Sequence, residues 1–558
     1  MNSVRKIIDE LRKVAPQFST TDGREKKNFL QKLSSIKLFS ADDLVAYHDC
    51  LLLLAAYPQS KTLYESALKE LQRVAAISKQ ISAGENEKEV AKLAISGIEG
   101  TYLIAAFSFD LCEWICKAFP SHVQLYGCYA DVDSQLKIMK ALLPAIVHTE
   151  LEREFTGIEK WLSANKGDEV NYQLELFLKL FHNINNLATR DYLFASLKVF
   201  IQVDIGNQLW SRTFNCGISS KIFYHTTELI NKVDLLKTVN KAVAEPLEIN
   251  DAQKQHLIKS ARCQLFTLFR ETDPVTYCNY RETQFYELER GYSIAIFFME
   301  KQRCVFPDAL ASYIIYKNNI PISYGDVLIF MNHARLAFNI YGPYRGCEST
   351  YIYFNVMRLF SQRFNVECFE VEPYQIGHKN DEAIQSGSFW FYYKFGFRPV
   401  NHRQKNIAEK EYKKIKADKK YRTTAVTLKQ LAKSSLQLSL VNADVNDINA
   451  PAVSKAIGEM ISNKFNGDYN KALTNSRKLL SDFLKPVVEL DDVEQQVMDN
   501  FSLLLNSIND LKQWSEADKQ TFKEIIKAKL SGQEYNYCML VQKHERLRAS
   551  LINLLKTG

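Results

Sequence analysis

The chain has 558 residues, of which 46% are hydrophobic and 24% are charged. This composition is typical of a folded globular protein and excludes an intrinsically disordered one. The longest apolar runs, such as residues 51–57, are too short to span a lipid bilayer, and the first residues lack the pattern of a signal peptide. We therefore expect a cytoplasmic protein of several domains that makes no membrane contact.

The cysteines and the charges bear on the kinds of ligand to expect. The 11 cysteines are scattered without a Cys-x-x-Cys pair, so we expect reduced thiols in protein cores and no metal site. The net charge is +7, and residues 402–433 alone carry 11 Lys and Arg against 3 Asp and Glu. The rest of the chain is therefore close to neutral. Because that segment has few aromatic residues, we expect a charged helical linker over residues 402–426 and no nucleic-acid binding.

Residues 1–262 are predicted to form a helical N-terminal region. Ser40 is a candidate N-cap with Asp43 three residues later, and the helix that follows is expected to end at Tyr57, before Pro58. Apolar residues at helical spacing continue through the region. Two such sets are Thr101, Tyr102, Ile104 and Phe107, and Tyr192, Phe194, Leu197 and Phe200.

Residues 263–401 are predicted to alternate between strands and helices. Short apolar runs at residues 293–298, 336–340 and 368–371 predict strands. A helix is predicted between the last two, from four apolar residues at helical spacing: Tyr353, Met357, Phe360 and Phe364. A second helix is predicted over residues 383–395, with an interruption at Gly387 and a strand after it. This order predicts α/β layering.

Residues 427–558 return to helical periodicity. The predicted fold class is α+β and multidomain: mostly α-helical, with a central mixed α/β sheet domain. The predicted domains are a helical N-terminal region (1–262), the sheet domain (263–401), a basic helical linker (402–426) and a helical C-terminal domain (427–558).

The sheet domain carries a motif of a known family. Residues 392–399 are Tyr-Tyr-Lys-Phe-Gly-Phe-Arg-Pro. They resemble the Tyr-x-Lys-Leu-Gly-Phe signature of the GNAT acyltransferases, which closes the fourth helix of that fold and enters the next strand. Asn380, Ala383 and Ile384 match the residues that open this helix, and residues 311–326 resemble an earlier hairpin of the fold. The resemblance covers about residues 280–401, under a quarter of the chain.

The sequence Tyr344-Arg345-Gly346 resembles the start of the GNAT pyrophosphate loop. Where that loop continues with two small residues, this chain has Glu348 and Thr350. Glu348 either points away from the diphosphate or blocks it, and we expect the first because Glu is favourable at a helix N-terminus. The loop and residues 386–393, Ser-Gly-Ser-Phe-Trp-Phe-Tyr-Tyr, also resemble a group of large bacterial proteins with helical flanks.

The GNAT resemblance implies residues that bind the donor and one that protonates the leaving thiolate. The implied acid is Tyr392. The implied cofactor-binding residues are Arg345, Gly346, Ser349 and Asn380.

Attack by an amine also needs a base. Glu370 and Glu372 alternate on the predicted strand, so both point to one face, and partial burial of the two would raise their pKa values. Glu372, at the strand end, is the predicted base. The predicted substrate-binding residues are Glu370, Glu348 as a ligand of a cationic group, and the loop residue His378.

These observations predict an N-acyltransferase that moves an acyl group from acetyl-CoA or another acyl-CoA to an amine of a small molecule or protein, without a metal. One alternative is a catalytically silent GNAT-like module in a helical scaffold or binding protein, whose helical regions hold a protein partner. Another is a GNAT-fold transferase that uses a different donor, such as an aminoacyl-tRNA.

Overall fold

The computed structural model describes residues 3–37, 39–164, 167–206, 210–441, 448–484 and 490–557. The chain is mostly α-helical with mixed β-structure, so the predicted α+β class is confirmed. It divides into two compact units. Unit 1 comprises Met1–Glu228, His256–Thr272 and Tyr316–Pro321, and unit 2 comprises Leu229–Gln255, Asp273–Ile315 and Ile322–Gly558. The four predicted domains stay a prediction, since these units follow a different division.

The first part of the chain contains helices and three short strands. Their bounds are α1 (Ser3–Val14), α2 (Thr20–Ser34), α3 (Ala41–Ala56), α4 (Lys61–Ser82), α5 (Glu87–Leu93), β1 (Thr101–Ala105), α6 (Phe109–Ala118), β2 (Val123–Cys128), α7 (Val132–Leu142), α8 (His148–Glu154), α9 (Ile158–Ser163), α10 (Tyr172–Phe181), α11 (Leu187–Leu197) and β3 (Val199–Ile205).

The predicted start of α3 is confirmed. The Ser40 hydroxyl accepts a hydrogen bond from the Asp43 N–H at 3.2 Å, which satisfies one of the amides left free at a helix N-terminus. The helix ends at Ala56, with Tyr57 as its C-cap. Local capping chemistry therefore sets both ends of this helix, as the sequence indicates.

The prediction that residues 1–262 are helical nearly throughout is wrong for the three strands. They form an antiparallel sheet in the order β1–β3–β2. In β1, buried residues alternate with half-buried ones, and α11 ends where Lys198 adopts a left-handed conformation with φ of 50°. Runs this short fit the helical and the strand period equally well, and pairing between distant segments decides between them.

The remaining elements belong mainly to unit 2. Their bounds are α12 (Leu235–Val239), α13 (Asp251–Phe266), α14 (Asp273–Thr276), β4 (Gln284–Glu287), β5 (Tyr292–Phe298), β6 (Ala309–Lys317), β7 (Ile320–Phe330), β8 (His333–Leu336), β9 (Asn339–Ile340), α15 (Ser349–Phe364), β10 (Cys368–Val371), α16 (Asp381–Ser386), α17 (Ser388–Lys394), β11 (Arg398–Pro399), α18 (His402–Ala417), α19 (Ala425–Leu431), β12 (Leu436–Ser439), α20 (Ala450–Phe465), α21 (Tyr469–Leu484), α22 (Asp492–Ser507), α23 (Glu516–Leu530), α24 (Glu534–Lys543) and α25 (Glu545–Thr557).

The strands of unit 2 form one mixed sheet in the order β11–β12–β10–β8–β7–β6–β5–β4, with β9 paired to β7. It is mixed because β10 runs parallel to β8. The predicted strands at residues 293–298 and 368–371 are present as β5 and β10. The four apolar residues that predict α15 are buried. Gly387, with φ of 69°, separates α16 from α17, as expected for a glycine that ends one helix.

One strand comes from the region predicted to be wholly helical. β12 lies between β10 and β11 and is antiparallel to both. Its four residues are too few for periodicity to reveal them. Residues 427–558 are therefore not a purely helical domain, since they supply a strand to the sheet that carries the predicted site.

Asp326 on β7 makes the stability of unit 2 depend on pH. Its carboxyl group is hydrogen-bonded to Ser312 on β6. Burial raises the pKa of Asp326 from 3.8 to about 6, opposed by the Ser312 hydrogen bond and reinforced by Asp273. The unfolded chain thus loses this proton at lower pH than the folded chain. The contribution of Asp326 to stability therefore falls as pH rises from about 4 to about 6.

We predict that Asp326→Asn removes this fall, because the amide carries no charge to desolvate. The urea midpoint of the variant, relative to wild type, should be higher at pH 7 than at pH 4. Asp482→Asn, at an exposed position of α21, is the control and should show no such difference. If Asp326→Asn changed the urea midpoint by the same amount at pH 4 and pH 7, the prediction would be contradicted.

Candidate functional site

The parallel pairing of β8 with β10 in the unit 2 sheet is short, because β10 ends at Val371. The two strands are paired over three residues only, and the last pair joins Arg335 to Glu370. Beyond Arg335, the chain of β8 and β9 continues along β7: the Ala337 N–H donates to the Asp326 carbonyl at 2.8 Å, and β9 pairs with β7. In the described strand pairings, residues 336–340 therefore form no backbone hydrogen-bond ladder with β10, and their edge on that side is open.

Two tyrosines contact each other beside Phe338 of this edge. The ring of Tyr353 on α15 is 5.0 Å from that of Phe338 and 5.5 Å from that of Tyr392 on α17. The Tyr353 hydroxyl is buried and has no hydrogen-bond partner among the described residues. A buried polar group without a partner costs free energy, and a bound ligand could satisfy it. Tyr353 is not recognisable as a site residue from the sequence, because its helical spacing only marks it as a core residue.

The two phenols keep their protons at neutral pH. Burial raises the pKa of Tyr392 above its usual value, and burial together with the nearby Tyr392 and Tyr313 raises that of Tyr353. Tyr313 donates its own hydroxyl hydrogen to the Ala337 carbonyl at 2.5 Å. The predicted acid is thus one member of a group of protonated phenols near residues 337 and 338.

The predicted phosphate loop leads into the start of α15. Gly346 has φ of 87°, and no heavy atom lies within 4 Å of where its Cβ would be. The helix begins at Ser349, whose N–H belongs to the first turn and has no partner within the helix. The exposed side chain of Arg345 pairs with Glu382 of α16 at 2.6 Å. The structure therefore places Arg345, Gly346 and Ser349 on one exposed loop and helix end.

Glu348 points into unit 2. Its side chain is fully buried, and its Oε1 lies 2.7 Å from Arg290 and 2.9 Å from the Ile230 N–H. Its Oε2 accepts a hydrogen bond from the Tyr292 hydroxyl at 2.6 Å. Both oxygens are thus used inside the protein, and the cation that Glu348 holds is Arg290. The structure supports the inward orientation and gives no support for Glu348 as a substrate ligand.

Among the described residues, no contact joins Asn380 or His378 to Tyr353 or Tyr392. Asn380 is the N-cap of α16: its Oδ1 accepts from the Ala383 N–H at 3.2 Å, and its amide donates to the Tyr374 carbonyl at 3.1 Å. His378 is exposed in the preceding turn, where its backbone N–H donates to Pro373. The observed role of Asn380 is therefore helix capping, and that of His378 is limited to the turn.

Glu370 and Glu372 face the same side of the sheet as predicted, but their surroundings differ. Glu370 lies 3.1 Å from His333 Nε2 and accepts from Gln437 at 3.3 Å. Burial alone would raise the pKa of Glu370, but hydrogen bonds from His333, Ser435 and Gln437 outweigh it and lower the pKa. The expected rise is therefore wrong for Glu370.

Glu372 is about half-exposed, and its carboxylate lies 3.2 Å from Arg335. Arg335 also pairs with Asp308 at 2.7 Å. The predicted base is therefore the more accessible of the two carboxylates. His333 and Arg335 are not recognisable from the sequence as partners of these carboxylates, because only the register of β8 against β10 brings them together.

Comparison with known proteins adds no identification. No protein-family model matches the chain, and no match was found among curated proteins or solved structures. Among the described residues, no helix is long and apolar enough to cross a membrane, and no group of three or more His, Cys, Asp and Glu is placed to hold a metal ion.

We predict that Glu348→Gln destabilises unit 2 by about 2–3 kcal/mol, because it removes the negative charge that balances the largely buried Arg290. Urea denaturation followed by fluorescence would measure the change. Glu382→Gln, which removes the same charge from the exposed pair with Arg345, is the matched control and should cost less than about 1 kcal/mol. Equal losses of unfolding free energy in the two variants would contradict the prediction that the buried ion pair matters more than the exposed one.

Proposed function

We propose that the unit 2 sheet with α15 and α17 is a GNAT-type N-acyltransferase that moves an acyl group from acyl-CoA to an amine. The observation that supports this most is the buried, unpartnered hydroxyl of Tyr353, whose ring lies between Phe338 and Tyr392 near the end of the β8–β10 pairing. The GNAT resemblance implies that the acyl group enters where the strand of Glu370 separates from its neighbour. Residues 392–399 run from the end of α17 into β11, which also supports the proposal.

The donor would bind along the loop before α15. Arg345 carries the positive charge for the diphosphate, and the glycine at position 346 leaves room for close approach. The first N–H groups of α15, with the positive end of its dipole, would complete the anion site. Because Glu348 points inward, its charge is balanced within unit 2.

The reaction joins the amine nitrogen to the thioester carbonyl carbon and breaks the carbon–sulfur bond. Backbone N–H groups on the open edge of residues 336–340 would polarise the carbonyl, as an oxyanion hole does. Tyr392 would give its proton to the leaving thiolate, and we assign Tyr353 as a second hydrogen-bond donor there. Glu372 would accept the proton that the amine loses. The acceptor is an amine of a small molecule or a protein.

We predict that the full chain binds acetyl-CoA and that Arg345→Ala weakens this binding about tenfold, because a charge-assisted contact to phosphate is lost. Glu382→Gln frees Arg345 from its carboxylate partner and should leave the affinity unchanged or increase it. Isothermal titration calorimetry on the three proteins measures both effects. Absence of heat with the wild type would overturn the acyl-CoA proposal and favour the silent module or another donor.

We predict that Glu372→Gln lowers the rate of acyl transfer by roughly 10²–10⁴-fold with little change in donor affinity, because the amide cannot accept a proton. Release of the CoA thiol in the presence of a panel of primary amines would report the rate. Glu370→Gln on the same face is the comparison and should lower the rate less, since Glu370 is held by His333 and Gln437. The reverse order of effects would assign the base to Glu370.

A further inference from the structure

The basic segment of residues 402–433 has no part in the proposed acyl transfer. We call this whole segment, which contains α18, the following turn and α19, the basic surface. α18 buries Gln404, Ala408 and Glu411 and exposes most of its other side chains. Its position in the fold therefore turns the Lys and Arg side chains of the segment toward solvent.

Most cations of the basic surface have no acidic partner. Within the described parts of the chain, only Lys414 and Lys429 form ion pairs, with Glu411 at 2.7 Å and with Asp381 at 2.9 Å. The other cations are exposed and lack such a pair: Arg403, Lys405, Lys410, Lys413, Lys416, Lys419, Lys420, Arg422 and Lys433. The surplus of positive charge is therefore presented to the solvent and is not balanced within the fold.

The acidic residues of the segment offset only a small part of this charge, since there are three of them against 11 Lys and Arg. Glu411 is buried, and its carboxylate accepts from the Tyr421 hydroxyl at 2.7 Å in addition to pairing with Lys414. Asp418 accepts a hydrogen bond from the Lys420 N–H in the turn. Two of the three carboxylates thus serve to fold the segment.

Aromatic side chains fix the basic surface in place. Trp390 of α17 stacks on Tyr412 of α18 with ring centroids 6.0 Å apart, and its indole N–H donates to Thr423 at 3.1 Å. The ammonium of Lys416 lies 4.9 Å from the centre of the Tyr412 ring. The tryptophan comes from outside the segment, so the low aromatic content of residues 402–433 underestimates the aromatic groups that line it.

We propose that the basic surface binds single-stranded nucleic acid through its phosphodiester backbone. A row of unpaired cations releases counterions from a polyanion, and nearby half-buried aromatic rings offer stacking for unpaired bases. A membrane surface fits less well, because Val426 is the one large apolar side chain that is exposed within residues 402–433, all of which the structure describes. The proposal replaces the expectation that the segment is only a linker, and it does not depend on acyl transfer.

Fluorescence anisotropy of the full chain with labelled oligo(U) and oligo(dT) of about 20 nucleotides tests this proposal. We expect binding that weakens as salt rises from about 50 to 200 mM. Lys413→Glu/Lys416→Glu/Lys420→Glu should weaken it at least tenfold and reduce the salt slope by about 2, since each phosphate contact on a single strand contributes about 0.7. Comparing the two oligonucleotides distinguishes RNA from DNA.

The control is Lys471→Glu/Lys478→Glu/Lys512→Glu, which makes the same charge change at exposed lysines of the C-terminal region. It should bind within about twofold of wild type. Absence of binding, equal losses in both triple variants, or binding to phosphatidylserine vesicles but not to the oligonucleotides would each overturn the proposal. Acetyl-CoA titration of the first variant separates this result from the transferase, because the donor loop is unchanged in it.

Discussion

The buried carboxylate of Glu348 is the interaction on which the start of α15 depends. Moving a charge out of water is costly unless charged and hydrogen-bonding partners replace the solvent. Here Arg290, Tyr292 and the Ile230 N–H provide them. One side chain thus joins the helix start to β5 and to the segment near residue 230. Gly346, two residues before it, and Ser349, directly after it, form the outer part of the loop.

A second polar network connects the sheet to the C-terminal helices. Lys529 of α23 is almost fully buried, and its ammonium lies 2.8 Å from Glu534 and 3.0 Å from the Asp308 carbonyl. Asp308 in turn pairs with Arg335, which also reaches Glu372. The proposed base is therefore the outermost member of a network of polar contacts that extends into the C-terminal part of unit 2.

Local chemistry made part of this structure predictable. The cap at Ser40, the break at Gly387 and the buried face of α15 depend on neighbouring residues, so the sequence is sufficient to find them. The register between β8 and β10 is different, because it joins segments separated by α15 and follows from no local pattern. That register brings His333 to Glu370, where it acts with Ser435 and Gln437 to lower the pKa of Glu370. The inward orientation of Glu348 likewise depends on Arg290, which is far away in sequence.

The place of β12 in the sheet also constrains how this protein is made. Among the strands that the structure describes, β11 pairs with β12 alone, and β10 has β12 on its outer side. During synthesis, the outer edge of β10 therefore stays open until residues 436–439 have left the ribosome. An exposed strand edge is a template for pairing with other chains. The part of the protein with the candidate site consequently passes through an aggregation-prone stage, and a fragment that stops at residue 401 would remain in it permanently.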